Sequence, residues 1–573
     1  MSSPRRTTGT ARSDHRGSGG RAAPCAREPA AHRLAADVAR RRDERCLDRQ
    51  TARRRTVRPA AGARADQHGG TLRGRVRRAG GLRAGCSHGA TGAQRNQLGR
   101  RGVKPLAAGG NLFGLSAEAK ARLLQKLSSV ASVRRGAAPA RRSDTAENNG
   151  GSGRLDVAEL EAYREIRLIE QAAEYLDITD PFFRVHEGIA GAETLIGNRS
   201  YVNFASYNYI GLNGDPRIAE AAKAAIDRYG TSVSASRMVS GERPIHRELE
   251  QALARVHGAE DSVVLVGGHS TNVTVIGHLL GRNDLIVHDT FIHNSIVQGA
   301  ILSGARRVPF RHLDPEAADK VLAEARSRHG HALLVIEGHY SMDGDVPDLA
   351  AFVAVARRHR AWLMVDEAHA LGVLGPRGFG SADRAGIDPG EVDIWMGTLS
   401  KSLVSCGGYI AGRKDLIDYL KRMAPGFVFS VGMAPPAAAA ALAAVEILQR
   451  EPERVARLNE RAALFLRLAR EAGLDVGGSI GAAIVPIITG SSIRAGRLAE
   501  AMFRRGINVQ PILYPAVPER AARLRFFLTA EHSEQQIREA VAILQEEARA
   551  VAAEPTDLAA VARHLGRRLP ASR

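Results

Sequence analysis

A chain of 573 residues is long enough for several hydrophobic cores. Its net charge of +20 sits almost wholly in the first 150 residues, which hold 33 Lys+Arg against 10 Asp+Glu, while the remainder holds 48 against 51. The body of the chain therefore gives no support for a basic groove binding nucleic acid. The cysteines, Cys25, Cys46, Cys86 and Cys406, make no CxxC pair. Neither a disulfide framework nor a zinc site is indicated, and the pattern fits a reducing, cytoplasmic compartment. No apolar run of about 18 residues occurs, so no membrane span is expected.

Residues 1–103 are Arg, Ala, Gly and Ser with hardly any aromatic or β-branched side chains. Such a stretch buries too little apolar area to offset ordering entropy, and a disordered basic extension is expected. It reads most simply as functionless; an anion-binding arm or an Arg-rich targeting peptide are the alternatives. Residues 104–153 hold a short helix and a linker. Over 113–131, Ser116 can cap a helix whose Leu123, Leu124 and Leu127 share a face. Residues 132–153, with Pro139 and Asn148-Asn149-Gly150-Gly151, read as the linker.

A helical arm is expected over 154–200, with its helix at 157–173. A large unit over 201–450 follows. After a helix at 216–228 and another at 246–256, short apolar strands at 262–266, 285–288, 305–310 and 333–337 alternate with helices. Runs without polar alternation suit strands buried on both faces of a mainly parallel α/β sheet. A smaller α+β unit over 451–553 carries helices at 453–472, 494–505 and 534–548. Its strands fall at 483–488, 508–510 and 524–529. Residues 554–573 form a tail.

Two strand ends carry the chemistry. Trp362-Leu363-Met364-Val365 ends in Asp366-Glu367-Ala368-His369, and Asp393-Ile394-Trp395-Met396 ends in Gly397-Thr398-Leu399-Ser400-Lys401. One offers a carboxylate and an imidazole, the other hydroxyls and a lysine. That set suits pyridoxal phosphate (PLP), which needs a lysine for a Schiff base and an acid beside its pyridinium nitrogen. The turn Gly267-Gly268-His269-Ser270, between a strand and a helix N-terminus, suits a phosphate. Arg523 and Arg525 alternate to one face of a strand, and a guanidinium is the natural partner of an amino-acid carboxylate.

The words HDTFIHNSIVQG (288–299), EGHYSMDGD (337–345), DEAHALGVLG (366–375) and GTLSKSLVSCGGYIAG (397–412) resemble the α-oxoamine synthases. That family includes serine palmitoyltransferase, 8-amino-7-oxononanoate synthase, 2-amino-3-ketobutyrate ligase and 5-aminolevulinate synthase. The resemblance runs from about residue 154 to about 552. It implies PLP-dependent transferase fold type I: a large domain on a mainly parallel seven-stranded sheet, plus a smaller α+β C-terminal domain. It implies that Lys401 carries PLP and acts as base, Asp366 faces the ring nitrogen, His369 and Ser341 reach the 3′-oxygen, and His293 stacks on the ring.

The same resemblance places the phosphate at Gly268, His269 and Ser270 with Thr398, and puts Asn272 and Glu337 behind the site. Arg525 is the expected carboxylate partner. Tyr207 lies beside the substrate entrance, where several members carry Asn. A hydroxyl from a neighbouring subunit often follows the family's equivalent of Phe429-Ser430; here Val431-Gly432 follows. The implied reaction is decarboxylative condensation of a small amino acid with an acyl thioester, on CoA or an acyl-carrier protein, in a homodimer. A PLP-dependent aminotransferase or aldolase of the same fold is the alternative.

Overall fold

The computed structural model describes residues 156–554, position 177 excepted. The expected extension of 1–103, the helix at 113–131, its linker and the tail beyond Glu554 lie outside the described residues. Asp156 accepts from the Ala158 N–H at 2.9 Å and caps a single turn, Val157–Glu159. Leu160 then adopts extended backbone, so the helix expected over 157–173 begins later, as α1 (Glu161–Tyr175). Strands β1 (Glu193–Ile196) and β2 (Arg199–Asn203) pair antiparallel. Gly197 and Asn198, both at positive φ, make their turn, which matches the twist of the flanking strands. Helix α2 (Pro216–Tyr229) starts on Asp215, whose carboxylate accepts from the Arg217 N–H, with proline at its first position. Helix α3 (Pro244–Val256) follows.

The central sheet is then laid down by alternation. Its elements are β3 (Asp261–Leu265), α4 (Gly268–Leu279), β4 (Leu285–Asp289), α5 (Asn294–Ser303), β5 (Arg306–Phe310), α6 (Pro315–Ala325), β6 (Ala332–Glu337), α7 (Leu349–Arg358), β7 (Trp362–Asp366), α8 (Ser381–Ala385), β8 (Ile394–Thr398) and β9 (Gly408–Gly412). The order across the sheet is β3-β9-β8-β7-β6-β4-β5, and only β9 runs antiparallel to its neighbours. Every residue of β3, β4, β6, β8 and β9 is buried. Leu334 and Ile336 of β6 pack into one core cluster, while Leu333 and Val335 pack into the cluster on the other face. Full burial of each such side chain contributes about 1.5–3 kcal/mol.

Helices α9 (Lys414–Met423), α10 (Pro425–Val428), α11 (Pro435–Arg450) and α12 (Glu453–Glu471) lead to the C-terminal sheet. There β10 (Ile484–Ile488), α13 (Ser492–Arg504), β11 (Ile507–Asn508), β12 (Gln510–Ile512), β13 (Arg523–Phe527) and α14 (Glu534–Ala552) complete the described chain. The sheet order is β10-β13-β12, all antiparallel. Ser533 and Gln536 form a reciprocal cap at the start of α14, a motif worth about 1 kcal/mol.

Besides the later start of α1, the expected helical arm over 154–200 ends in the strands β1 and β2, and two further points of the expectation need correction. The single strand at 508–510 is two strands: β11 joins β2 in parallel, and β12 joins β13 on the other side of buried Val509. The chain passes between sheets there, so neither half can extend. Strand β9, with glycine at both ends, is absent from the sequence reading; glycine is a poor strand former and masked its short apolar core. The end of β2 delivers Phe204 onto Phe526 (centroids 5.4 Å apart) and, stacked at 4.4 Å, onto His532. This aromatic cluster anchors the following segment, 205–212, against the C-terminal sheet.

Candidate active site

The carboxyl ends of the parallel strands form the site, as open α/β sheets favour. Glu337 closes β6, Asp366 closes β7 in register with it, and Thr398 closes β8 three residues before Lys401. Asp366 is 4 % exposed. Its Oδ2 accepts from Asn272 Nδ2 at 2.9 Å and its Oδ1 from the Ala368 N–H at 2.9 Å. Asn272, on α4, also donates to Ser295 Oγ at 3.0 Å. Burial pulls the Lys401 amine down to about 8, against the opposing pull of Asp366 and with help from the Arg525 charge. Its Nζ lies 5.7 Å from the Tyr207 ring centroid.

The Gly267-Gly268 turn meets the end of β8. A Cβ on Gly268 would lie 2.8 Å from Thr398 Oγ1, so only glycine permits this approach. Thr398 Oγ1 donates to the Gly407 carbonyl at 3.0 Å and lies 2.8 Å from Ser400 Oγ. No side chain caps α4, so its first N–H groups are free to bind an anion. The hydroxyls of Ser270 and Thr271 both turn back to the Gly267 carbonyl, at 2.9 and 2.8 Å.

His369 is buried, with Nδ1 2.8 Å from the Tyr209 hydroxyl. Burial, then the Lys401 and Arg525 charges, push its pKa well below the usual imidazole value. The ring is neutral, and burial keeps the Tyr209 phenol protonated. With the phenol as donor, Nδ1 accepts and Nε2 carries the ring proton. His293 caps α5: Nδ1 accepts from the Ser295 N–H and lies 2.7 Å from its hydroxyl. His269 meets His293 edge to face at 6.3 Å.

Arg523 and Arg525 both reach the loop after β6. Arg523 pairs with Asp343 Oδ1 at 2.6 Å and donates to the Met342 carbonyl at 2.9 Å. Arg525 donates one Nη1 to the Ser341 carbonyl at 3.2 Å, lies over the Phe527 ring, and keeps a buried Nε with no protein partner. Of the two, Arg525 retains donors for a ligand. Ser341 is brought to the site through its backbone. Tyr207 packs edge to face on Phe527 at 4.9 Å and on His369 at 5.9 Å. It borders a cavity of about 430 Å³, shared with Ser206, Ser400, Lys401, Ser405 and Gln510.

The sequence reading missed three supports: Tyr209, Ser295 and His312. His312 Nδ1 bonds Asp289 at 2.9 Å and Nε2 bonds Asp345 at 3.1 Å. Against the cost of burial, the two carboxylates raise its pKa to about 10. This imidazolium ties the turn that presents His293 to the loop that carries Ser341. Ser295, two residues after His293 at a helix start, carries a readable cap spacing. Tyr209 and His312 carry none.

The residues fit PLP. They supply a glycine cradle at an uncapped helix start, a buried acid at a strand end, and a lysine of lowered pKa. Asn272 Oδ1 and Glu337 Oε1 are buried there without a protein partner. Among the described residues, no group of acidic, histidine or cysteine side chains could hold a metal ion.

Comparison with known proteins agrees. Residues 199–544 match the family model for aminotransferase class I and II. The putative 8-amino-7-oxononanoate synthase of Gloeobacter violaceus is 41% identical over 361 residues, 63% of this chain and 92% of that protein. The 8-amino-7-oxononanoate synthase of Chromohalobacter salexigens is 41% identical over 341 residues, 60% and 88% respectively. The solved serine palmitoyltransferase of Sphingomonas wittichii has a TM-score of 0.66 at 30% identity, covering 70% of this chain and 100% of that one. A serine palmitoyltransferase from S. paucimobilis with a bound PLP–myriocin aldimine gives the same figures. Fold and site together define a PLP-dependent transferase of fold type I. The chain belongs to the α-oxoamine synthase family, within aminotransferase class I and II, and is a PLP-dependent acyltransferase.

Proposed function

We propose that the enzyme condenses a small amino acid with an acyl thioester, releasing the free thiol and carbon dioxide and leaving an α-amino ketone. The observation that carries this reading is Lys401, an amine lowered to about 8, set beside buried Asp366 and the partly unpaired Arg525. PLP, when bound, supplies the electron sink that stabilises negative charge at the amino acid's α-carbon. Lys401 holds the cofactor aldehyde and, once free, takes and returns a proton at that carbon; an amine of this pKa does both near neutrality. Asp366 faces the ring nitrogen, with Asn272 and the Ala368 N–H fixing both of its oxygens. Neutral His369 offers its Nε2 proton to the 3′-oxygen, joined by Ser341. His293 covers the ring, and the free N–H groups at Gly268, His269 and Ser270 hold the phosphate with Thr398. Arg525 grips the substrate carboxylate, and Tyr207 borders the acyl entrance. The donor is an acyl-CoA or an acyl-carrier protein.

The test is a panel of amino acids mixed with acyl thioesters, read by thiol release and carbon dioxide. Thiol release that requires both substrates supports the reading. Keto-acid formation without thiol would place the enzyme among the aminotransferases instead. In the same assay Arg525→Ala is expected to raise the amino-acid KM about 100-fold or more with a smaller change in kcat. An unchanged KM would remove Arg525 from carboxylate binding.

The working unit we infer is a cytoplasmic homodimer. Phe429 and Val239 are 86 % and 82 % exposed, and Met238, Phe291 and Val431 are also exposed, an apolar display that a second copy would cover. Ser430 stands beside Phe429, where the family's neighbouring subunit approaches the phosphate. Among the described residues no helix is long and apolar enough to cross a membrane, and Cys406 is a free, exposed thiol. Sedimentation should give a dimer for the wild type, and Phe429→Asp combined with Val239→Asp should give an inactive monomer. A wild type that is monomeric and active would refute the dimer.

A further inference from the structure

One buried acid in the site has no part in the mechanism above. Glu337 is 4 % exposed at the end of β6. Its backbone is in register with Asp366 on the neighbouring parallel strand, about 4.8 Å away, so the two side chains leave the same face of the sheet. The two carboxyls are not served alike. Asp366 receives a donor on each oxygen, from Asn272 and from the Ala368 N–H. Glu337 Oε1 is buried and receives none. An ionised carboxylate is an acceptor only, and a dry oxygen without a donor beside a second carboxylate is the costly arrangement. A carboxylic acid avoids it, because it carries its own donor. Unpartnered acceptors lie in the same region: Asn272 Oδ1 and the Tyr340 hydroxyl are also buried and unpaired.

We propose that Glu337 is a positioning residue held as a neutral acid, whose proton leaves Asp366 the single anion at the cofactor end of the site. The groups that act on it are Asp366 on β7, Lys401 after β8, the Tyr340 phenol after β6, and the backbone N–H groups of His293 and Ser341. Lys401 and backbone hydrogen bonds from His293 and Ser341 favour ionisation, but burial and then Asp366 outweigh them and push the Glu337 carboxyl well above the usual carboxylate range. Dyads of buried carboxyls divide in this way, one charged and one protonated. The consequence is electrostatic. One anion rather than two faces the ring nitrogen, so Lys401 keeps its lowered pKa. The charge state does not depend on the condensation reading, since it concerns the protein with or without turnover.

The test compares wild type with Glu337→Gln, a neutral isostere, on the full chain with and without bound PLP. Infrared difference spectra should show a protonated carboxylic-acid carbonyl band in wild type at neutral pH that Glu337→Gln removes. A folded-state pKa raised above the unfolded value makes wild-type stability fall as pH climbs past the unfolded carboxyl pKa. Glu337→Gln escapes that fall, so its Tm advantage should widen by about 1–2 °C per pH unit as pH rises above the usual carboxyl range. The pH midpoint of the bound-PLP absorbance should move by less than about 0.5 unit, since one neutral group replaces another; loss of a real anion would move it by about 1 unit or more. Glu337→Met serves as the second neutral replacement. Absence of the carboxyl band, a Tm difference flat with pH, or a midpoint shift of the larger size overturns the proposal. So does failure of both Glu337→Gln and Glu337→Met to fold, because a neutral acid is replaceable by a neutral side chain. Failure of the thiol-release assay alone would leave this result standing and count only against the proposed reaction.

Discussion

Lys401→Ala is expected to lower turnover by about 10,000-fold or more. In the proposed mechanism the substitution removes two functions at once, the tether for the cofactor aldehyde and the base that moves the α-proton. No neighbouring group replaces it. His369 is buried, neutral and engaged by Tyr209 at 2.8 Å, and a guanidinium such as that of Arg525 carries no acceptor for a proton. The loss is chemical rather than structural. Lys401 follows β8 without supporting it, and alanine fits its backbone, so circular dichroism and Tm should remain near wild type. Absorbance is the direct check: PLP added to the variant should pass off on gel filtration or remain as the free-aldehyde spectrum. Turnover within about tenfold of wild type would show that another residue holds the cofactor.

Asp366→Asn should lower turnover by about 1,000-fold while leaving the fold intact. Asparagine matches aspartate in size, but it brings an amide donor where Asn272 Nδ2 and the Ala368 N–H both point donors at the site. Under the proposed mechanism the variant loses the charge that favours a protonated ring nitrogen, and it gains a donor–donor clash with one partner. Removing the acid should weaken PLP retention as well, so binding and turnover must be measured separately, at saturating cofactor. A drop in kcat at full occupancy isolates the charge effect. Unchanged kcat under those conditions would remove Asp366 from the ring nitrogen.

The two residues behind these predictions were legible in the sequence for one reason. Each ends a short apolar run, and a buried strand that ends in polar groups places them at the edge of a sheet. The same logic recovered most of the parallel strands and the glycine turn at Gly268. It failed where a strand's signal is weak, as in the glycine-bounded β9, and where one run serves two sheets, as at Val509. It also failed for contacts between distant segments. Tyr209 and His369 are 160 positions apart, and Asn272 and Asp366 are 94 apart; no local pattern encodes either pair.

By itself the sequence determined the alternation of strands and helices, the family words at their ends, and hence the cofactor. Those properties follow from local apolar periodicity and from short chemical motifs, which need no knowledge of distant neighbours. The sequence named Arg525 as the carboxylate partner, and the tertiary structure supplied the reason: Asp343 takes Arg523 and leaves Arg525. Tertiary structure alone decided that His312 bridges two aspartates, and that Glu337 lies in register with Asp366 yet keeps one buried oxygen without a partner. Such choices depend on which groups the folded chain brings within hydrogen-bond reach and strips of water, and only the packed sheet fixes that.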